Sequence, residues 1–214
     1  MEKKTLLFDL DGTLLDTYNI ILASMRHTLN GIAGKSYSDH ELMSMVGTPL
    51  FDQMLKFGDG GEERAAELTA IYRQHNDTIH DESVSVFEGL PAVLEQLESR
   101  GYRMGIVTSK RHHMAMRGLE VCGIERFFEL VIGSDDWPEH KPQPGPVLHG
   151  AVLMGAKPEA CFYIGDSPFD IQAGNSAGCT TIAVTWGMFG AVELAAENPA
   201  FIANDPAELL EILG

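Results

Sequence analysis

Two hundred and fourteen residues, 44% of them apolar and 21% charged, make a chain long enough for one large core, or for one core with a smaller unit inserted into it. Fifteen lysines and arginines against 31 aspartates and glutamates leave a net charge of −16, which argues against nucleic acid or an anionic membrane as partner. Cys122, Cys161 and Cys179 are widely spaced and form no C-x-x-C pair, so buried free thiols are expected rather than a zinc site or a disulfide framework.

The chain opens MEKKTLLFDLDG, basic at first, with an apolar run cut short by Asp9. No secretory signal is expected from it, and no stretch approaches the roughly 18 apolar residues of a membrane span. The expected location is cytoplasmic. Thr5–Asp9 reads as a buried strand that delivers Asp9 and then Asp11 before a turn at Gly12. From 16 to 83 no convincing strand appears. Helices are expected instead over Thr17–Asn30, Ser38–Val46 (with Ser38 as cap), Pro49–Phe57 and Glu62–His80, the glycine-rich stretch 57–61 breaking the last two apart. Strand and helix then alternate. Tyr102–Val107, Glu129–Ile132, Cys161–Ile164 and Thr180–Val184 read as strands, with helical patterns near 90–100, 111–122, 144–155 and 168–177. Phe201-Ile202 and Pro206–Leu213 add a short strand and a closing helix. The expected fold is α/β, a doubly wound parallel sheet covered on both faces, formed by 1–15 and 84–214, with an all-α unit at 16–83.

Ligands bind such sheets at the carboxyl ends of the strands. The first strand ends in Asp9 and Asp11, the strand through Ile106-Val107 in Thr108-Ser109-Lys110, and the strand through Tyr163-Ile164 in Gly165-Asp166-Ser167, with Asp170 four residues beyond Asp166. Up to four carboxylates would converge there. Such a cluster stays partly protonated or recruits a cation. An all-oxygen site left open to water and phosphate suits Mg²⁺. Asp170 has a second reading, since Ser167-Pro168-Phe169-Asp170 also spells a capped helix start. Lys110 and Arg111 read as solvent-facing. His75, His80, His112 and His113 lack the i, i+4 spacing of paired ligands and read as surface or packing residues; Trp137 and Trp186 read as core or rim.

Asp9-x-Asp11-Gly-Thr, the strand ending in Thr108, Lys141-Pro142-x-Pro144 and Gly165-Asp166-x-x-x-Asp170 resemble the four signatures of the haloacid dehalogenase-like hydrolase superfamily, in order, across residues 8 to 170. The helical insert looks like that superfamily's α-helical cap. The Gly47-Thr48-Pro49-Leu50 turn and the tail "TIAVTWG" are similar to the phosphoglycolate phosphatase-like branch, and "YRQHND" (72–77) to its inorganic pyrophosphatases. The resemblance implies Asp9 as nucleophile forming an aspartyl-phosphate, and Asp11 as acid towards the leaving oxygen and then base towards water. It implies Thr108 and Ser109 as phosphoryl-binding groups and Lys141 as the cation of the transition state. It further implies Mg²⁺ held by Asp9, the Asp11 backbone carbonyl and Asp166, with Asp170 as a further ligand or behind one. Pro138, Pro142, Pro144 and Pro146 would stiffen the loop that presents Lys141.

The implied function is a Mg²⁺-dependent phosphatase for a small phosphorylated metabolite. An inorganic pyrophosphatase and a phosphosugar mutase stand as alternatives. Asp11 argues against a dehalogenase, and the length and helical insert against a receiver-like phospho-switch. The expected partners are a small phosphorylated metabolite or pyrophosphate, with no nucleic acid and no membrane, in a monomer or weak homodimer.

Overall fold

Leu6, Leu7 and Phe8 are all wholly buried, although successive strand residues point to opposite faces. Both faces of their strand are therefore covered, which is why the run is uniformly apolar rather than alternating. A computed structural model describes residues 5–214, so the Lys3-Lys4 start lies outside the described residues. The strands are β1 (Thr5–Phe8), β2 (Leu15–Asp16), β3 (Ser85–Val86), β4 (Arg103–Val107), β5 (Phe128–Ile132), β6 (Cys161–Gly165), β7 (Thr180–Val184) and β8 (Phe201–Ala203). Six of them form one parallel sheet in the order β5-β4-β1-β6-β7-β8. β1 is central, and strand order reverses beside it. Phe8 lies in register with Ile106 of β4 and Ile164 of β6, so the three strands end almost level.

The helices are α1 (Tyr18–Met25), α2 (Asp39–Met43), α3 (Leu50–Phe57), α4 (Gly61–Ser83), α5 (Leu90–Ser99), α6 (His112–Cys122), α7 (Gly145–Leu153), α8 (Pro168–Ala177), α9 (Ala191–Ala196) and α10 (Glu208–Leu213). One face of the sheet packs Leu6, Phe8 and Ile106 against Leu94 of α5, Leu119 of α6 and Leu209 of α10. The other packs Leu7, Val107 and Tyr163 against Val147 of α7 and Ala173 of α8. Each such fully buried side chain contributes about 1.5–3 kcal/mol relative to exposure.

α1 to α4 build a core of their own from Leu22, Met25, Leu29, Leu42, Met54, Leu68 and Tyr72. The expected single helix over Thr17–Asn30 is α1 running straight into a π-helix, Arg26–Ile32. Ser38 caps α2 in a reciprocal box with Glu41, as its spacing predicts. The chain leaves the sheet through β2 and returns through β3, and these two short strands pair antiparallel, Leu15 with Val86 and Asp16 with Ser85. Cys161 and Cys179 are buried free thiols as expected, whereas Cys122 is only half-buried. Among the described residues no helix is long and apolar enough to cross a membrane.

Candidate active site

Asp9 follows β1 directly, its N–H donating to the Ile164 carbonyl at 2.8 Å, so the strand ladder itself fixes the side chain. The carboxylate is 4% exposed and meets a cation of the same burial: Lys141 Nζ donates to Asp9 Oδ1 at 2.8 Å and to Asp170 Oδ1 at 2.5 Å. Burial works against the Lys141 ammonium, but Asp170 and Asp9 outweigh it and raise its pKa well above the ordinary lysine value. The lysine is therefore charged throughout the physiological range.

Asp170 serves two structural tasks at once. Its Oδ2 accepts from the Ser167 hydroxyl at 2.5 Å and the Ser167 N–H at 3.1 Å, closing a capping box at the start of α8 with Pro168 in the first turn. Its Oδ1 takes Lys141 and lies 3.2 Å from the Tyr163 hydroxyl, which is also 2.9 Å from the Val107 carbonyl oxygen. Both sequence readings of Asp170 thus meet in one residue: it caps a helix and stands in the acidic cluster.

Asp166, at the end of β6, is held from two directions. The Thr13 hydroxyl donates to Oδ1 at 3.0 Å and the Met188 N–H to Oδ2 at 2.7 Å. Two glycines make this possible. Gly12 has φ +84°, and a Cβ there would sit 2.1 Å from Asp166 Oδ2; a Cβ on Gly187 would sit 2.3 Å from the same atom. Met188 and Tyr163 escaped the sequence reading. Gly187, in the "TWG" tail, was the available signal for the first; a tyrosine inside a strand gives none.

Carboxylate oxygens of Asp9, Asp166 and Asp170 lie within 4.8 Å of one another, all three residues buried. Burial first, then the Asp170 and Asp11 charges, lift the Asp9 pKa to about 7 against the pull of Lys141. Burial, reinforced by Asp170 and Asp9, raises Asp166 well above the carboxylate range. One ammonium cannot neutralise all three buried acids in their ionised forms. An oxygen-only donor set in that condition fits a hard divalent cation. With Asp170 committed to Lys141 and to the helix cap, Asp9 and Asp166 are the side chains best placed to hold it.

Asp11 does not join that cluster, contrary to the convergence of four acids expected from sequence. Its carboxylate turns to Lys110, whose Nζ donates to Oδ1 at 2.8 Å, with both side chains largely buried. Lys110 is correspondingly not a solvent-facing residue; it and the half-buried Arg111 both line a cavity of about 320 Å³ between the strand ends and the helical insert. Thr108 is 6% exposed at the end of β4, its N–H bonded to the Ile132 carbonyl, and its hydroxyl accepts from the Lys110 N–H at 3.2 Å. The Ser109 hydroxyl donates to the Gly47 carbonyl at 2.6 Å, a direct bond from the sheet side to the insert.

The histidines and tryptophans lie at the surface or in packed positions, as their spacing predicts. His80 is fully buried, His75 stacks on His27, and His112 pairs with Asp136 at the surface. Trp137 stacks on His149 and Trp186 donates to the Thr13 carbonyl at 3.1 Å.

Residues 6–184 match the family described as haloacid dehalogenase-like hydrolase. Over 213 residues the chain is 37% identical to pyrophosphatase PpaX of Bacillus cereus (strain AH820), covering 100% of this chain and 97% of that one. It is 35% identical over 213 residues to the protein of the same name from Bacillus mycoides (strain KBAB4), covering 100% and 98%. Among solved structures, a haloacid dehalogenase-like family hydrolase from Streptococcus pneumoniae superposes with a TM-score of 0.87 at 26% identity, covering 99% of each chain. A "predicted phosphoglycolate phosphatase" from Haemophilus somnus 129pt gives 0.89 at 25% identity, covering 100% of this chain and 99% of that one.

Proposed function

The chain belongs to the haloacid dehalogenase-like hydrolases, and we propose that within them it is a magnesium-dependent phosphatase whose substrate is inorganic pyrophosphate. The observation that carries the reaction class is the buried Lys141 bridging Asp9 and Asp170 beside Asp166, at the level ends of β1 and β6. The substrate rests on the full-length likeness to the PpaX pyrophosphatases and on the cations Arg73, Lys110 and Arg111 that line a small cavity in a chain of net charge −16.

In this reading the Asp9 carboxylate attacks phosphorus as the bridging P–O bond breaks. The leaving phosphate keeps the electron pair and takes a proton from Asp11, and an aspartyl-phosphate remains. Asp11 then removes a proton from water as the water oxygen attacks phosphorus. The bond to Asp9 breaks and a second phosphate leaves. Lys141 fixes the attacking carboxylate and stands as a point charge beside the phosphoryl oxygens. The Thr108 hydroxyl and the Ser109 N–H hold those oxygens. Asp170 acts through Lys141, as a positioning residue. Asp9, Asp166 and the Asp11 carbonyl would hold Mg²⁺, which would supply positive charge to keep the two carboxylates ionised and to offset the phosphoryl charge.

That charge balance predicts a pH-dependent metal effect. A carboxyl whose pKa is higher in the folded than in the unfolded state contributes stability that is full at acid pH and is lost as pH rises through the folded value, here about 7 for Asp9. Mg²⁺ relieves the loss by pairing with the ionised form. The difference in Tm between Mg²⁺ and EDTA is therefore expected to be small near about pH 5.5 and to widen towards about pH 8. A thermal melt series checks this; a gap that narrows with rising pH would contradict it.

Substrate choice is checked by kcat/KM across pyrophosphate, phosphoglycolate and p-nitrophenyl phosphate, with pyrophosphate expected to lead by ~10-fold or more. The apolar part of the cavity wall, Ile21, Met25 and Leu50, favours a second reading, a small organic phosphoester. Phosphoglycolate leading the panel would establish it.

A further inference from the structure

Arginines in so acidic a chain find carboxylates readily. Arg26, Arg64, Arg103, Arg117 and Arg126 each pair with an aspartate or glutamate, and Arg100 donates to the Leu210 carbonyl at 2.9 Å. Arg73 and Arg111 are the other two arginines of the sequence. Among the described residues neither guanidinium has a hydrogen bond or an ion pair within 4.0 Å, and both line the cavity over the active site. Arg73 comes from α4, in the helical insert; Arg111 comes from the loop after β4, two residues beyond Ser109. Both are half-buried.

The two charges feel one another across that space. Burial, and after it the Arg111 charge, holds Arg73 below the ordinary arginine range. Asp135 acts on both arginines, but its Oδ1 already accepts the His112 N–H at 2.8 Å, at the start of α6. Lys110, next to Arg111, is occupied by Asp11. What is left is a pair of guanidinium forks, one from the insert and one from the sheet side, whose donors are unused although Asp77 and Asp135 line the same cavity. Guanidinium forks match phosphate oxygens two at a time.

We propose that Arg73 and Arg111 form a distal anion subsite that holds the part of the substrate beyond the transferred phosphoryl group, which in pyrophosphate is the leaving phosphate. The identity of that anion rests on the pyrophosphate reading above. Because one arginine belongs to the insert and the other to the sheet side, an anion between them ties the two together only when the substrate carries a second charged group. Binding energy from the non-reacting end is then spent on closing the site around the reacting end.

The test uses calorimetry with Mg²⁺ present and three stable ligands: methylenediphosphonate, phosphonoacetate and methylphosphonate. The proteins are the wild type, Arg73→Ala, Arg111→Ala, the double variant and Arg73→Lys. The wild type is expected to prefer methylenediphosphonate over methylphosphonate by ~10–100-fold, the range of a charge-assisted hydrogen-bond pair. Either alanine variant should lose most of that preference, and the double variant little more, because the two side chains share one anion. Arg73→Lys should keep part of it. A wild type with no preference, a double variant that keeps the full preference, or tighter binding of phosphonoacetate than of methylenediphosphonate would each overturn the proposal. Turnover measured in parallel separates the two readings. A wild type that binds the diphosphonate through both arginines yet leaves pyrophosphate intact removes the substrate assignment and keeps the subsite. A pyrophosphatase whose preference survives both substitutions does the reverse.

Discussion

Asp9→Asn is expected to lower kcat by about 10⁴-fold or more with the fold intact. An amide has no electron pair able to displace a phosphate, so no aspartyl-phosphate forms. The replacement is nearly isosteric, and its carbonyl oxygen still accepts the hydrogen bond that Lys141 gives Asp9 at 2.8 Å. Burial already favours a neutral group at this position, since it lifts the Asp9 carboxyl to about 7. The variant should therefore melt in EDTA no lower than the wild type while its response to Mg²⁺ shrinks. Steady-state rates with Mg²⁺ and a far-ultraviolet circular dichroism spectrum check both halves. Near-normal turnover with a native spectrum would take the nucleophile's role from Asp9.

Lys141→Ala should damage both catalysis and stability. The lysine is 3% exposed and is the cation bonded to both Asp9 and Asp170. Removing one member of a buried ion pair leaves its partners uncompensated, at a cost of about 3–5 kcal/mol. Loss of a preorganised charge beside the developing transition state takes a further ~10²–10³-fold from kcat. Denaturant titration and initial rates measure the two effects. The stability deficit also has a sign in pH. Without the ammonium, the Asp9 carboxyl, which burial already lifts to about 7, is more easily buried as a neutral acid, so the deficit against wild type is largest at neutral and alkaline pH and shrinks on acidification. A deficit that did not change with pH would show that Lys141 stabilises the fold by packing rather than by charge.

The sheet was legible because each of its central strands is a short apolar run that stops at a polar residue fit for chemistry: Asp9, Thr108, Asp166. Parallel register does the rest, since strands that start level end level, and Phe8, Ile106 and Ile164 do so. The capping box at Ser167 was legible for a local reason, the three-residue spacing to Asp170. Lys110 was not. A lysine after a strand end looks solvated in sequence, and its partner Asp11 lies 99 residues away, so only the closed sheet brings them together. Tyr163 was not legible either: its hydroxyl meets Asp170 seven residues on, at the start of α8, and the Val107 carbonyl across the sheet. The π-helix at Arg26–Ile32 escaped because its widened turn leaves the apolar spacing of Met25 and Leu29 unchanged. The two-residue strands β2 and β3 are too short for any periodicity to announce.

Those two short strands set how freely the rest of the molecule can change. The polypeptide departs at Leu15–Asp16 and comes back at Ser85–Val86, neighbouring rungs of one ribbon about 5 Å apart. Everything between is a detour from the sheet's standpoint, so its length and shape can alter without stretching either junction. Any helical bundle with adjacent ends can be grafted at the same place. Bond-making equipment thus stays on the sheet side, and a descendant of this protein can exchange the half of the substrate pocket that the detour supplies while keeping its inherited chemistry.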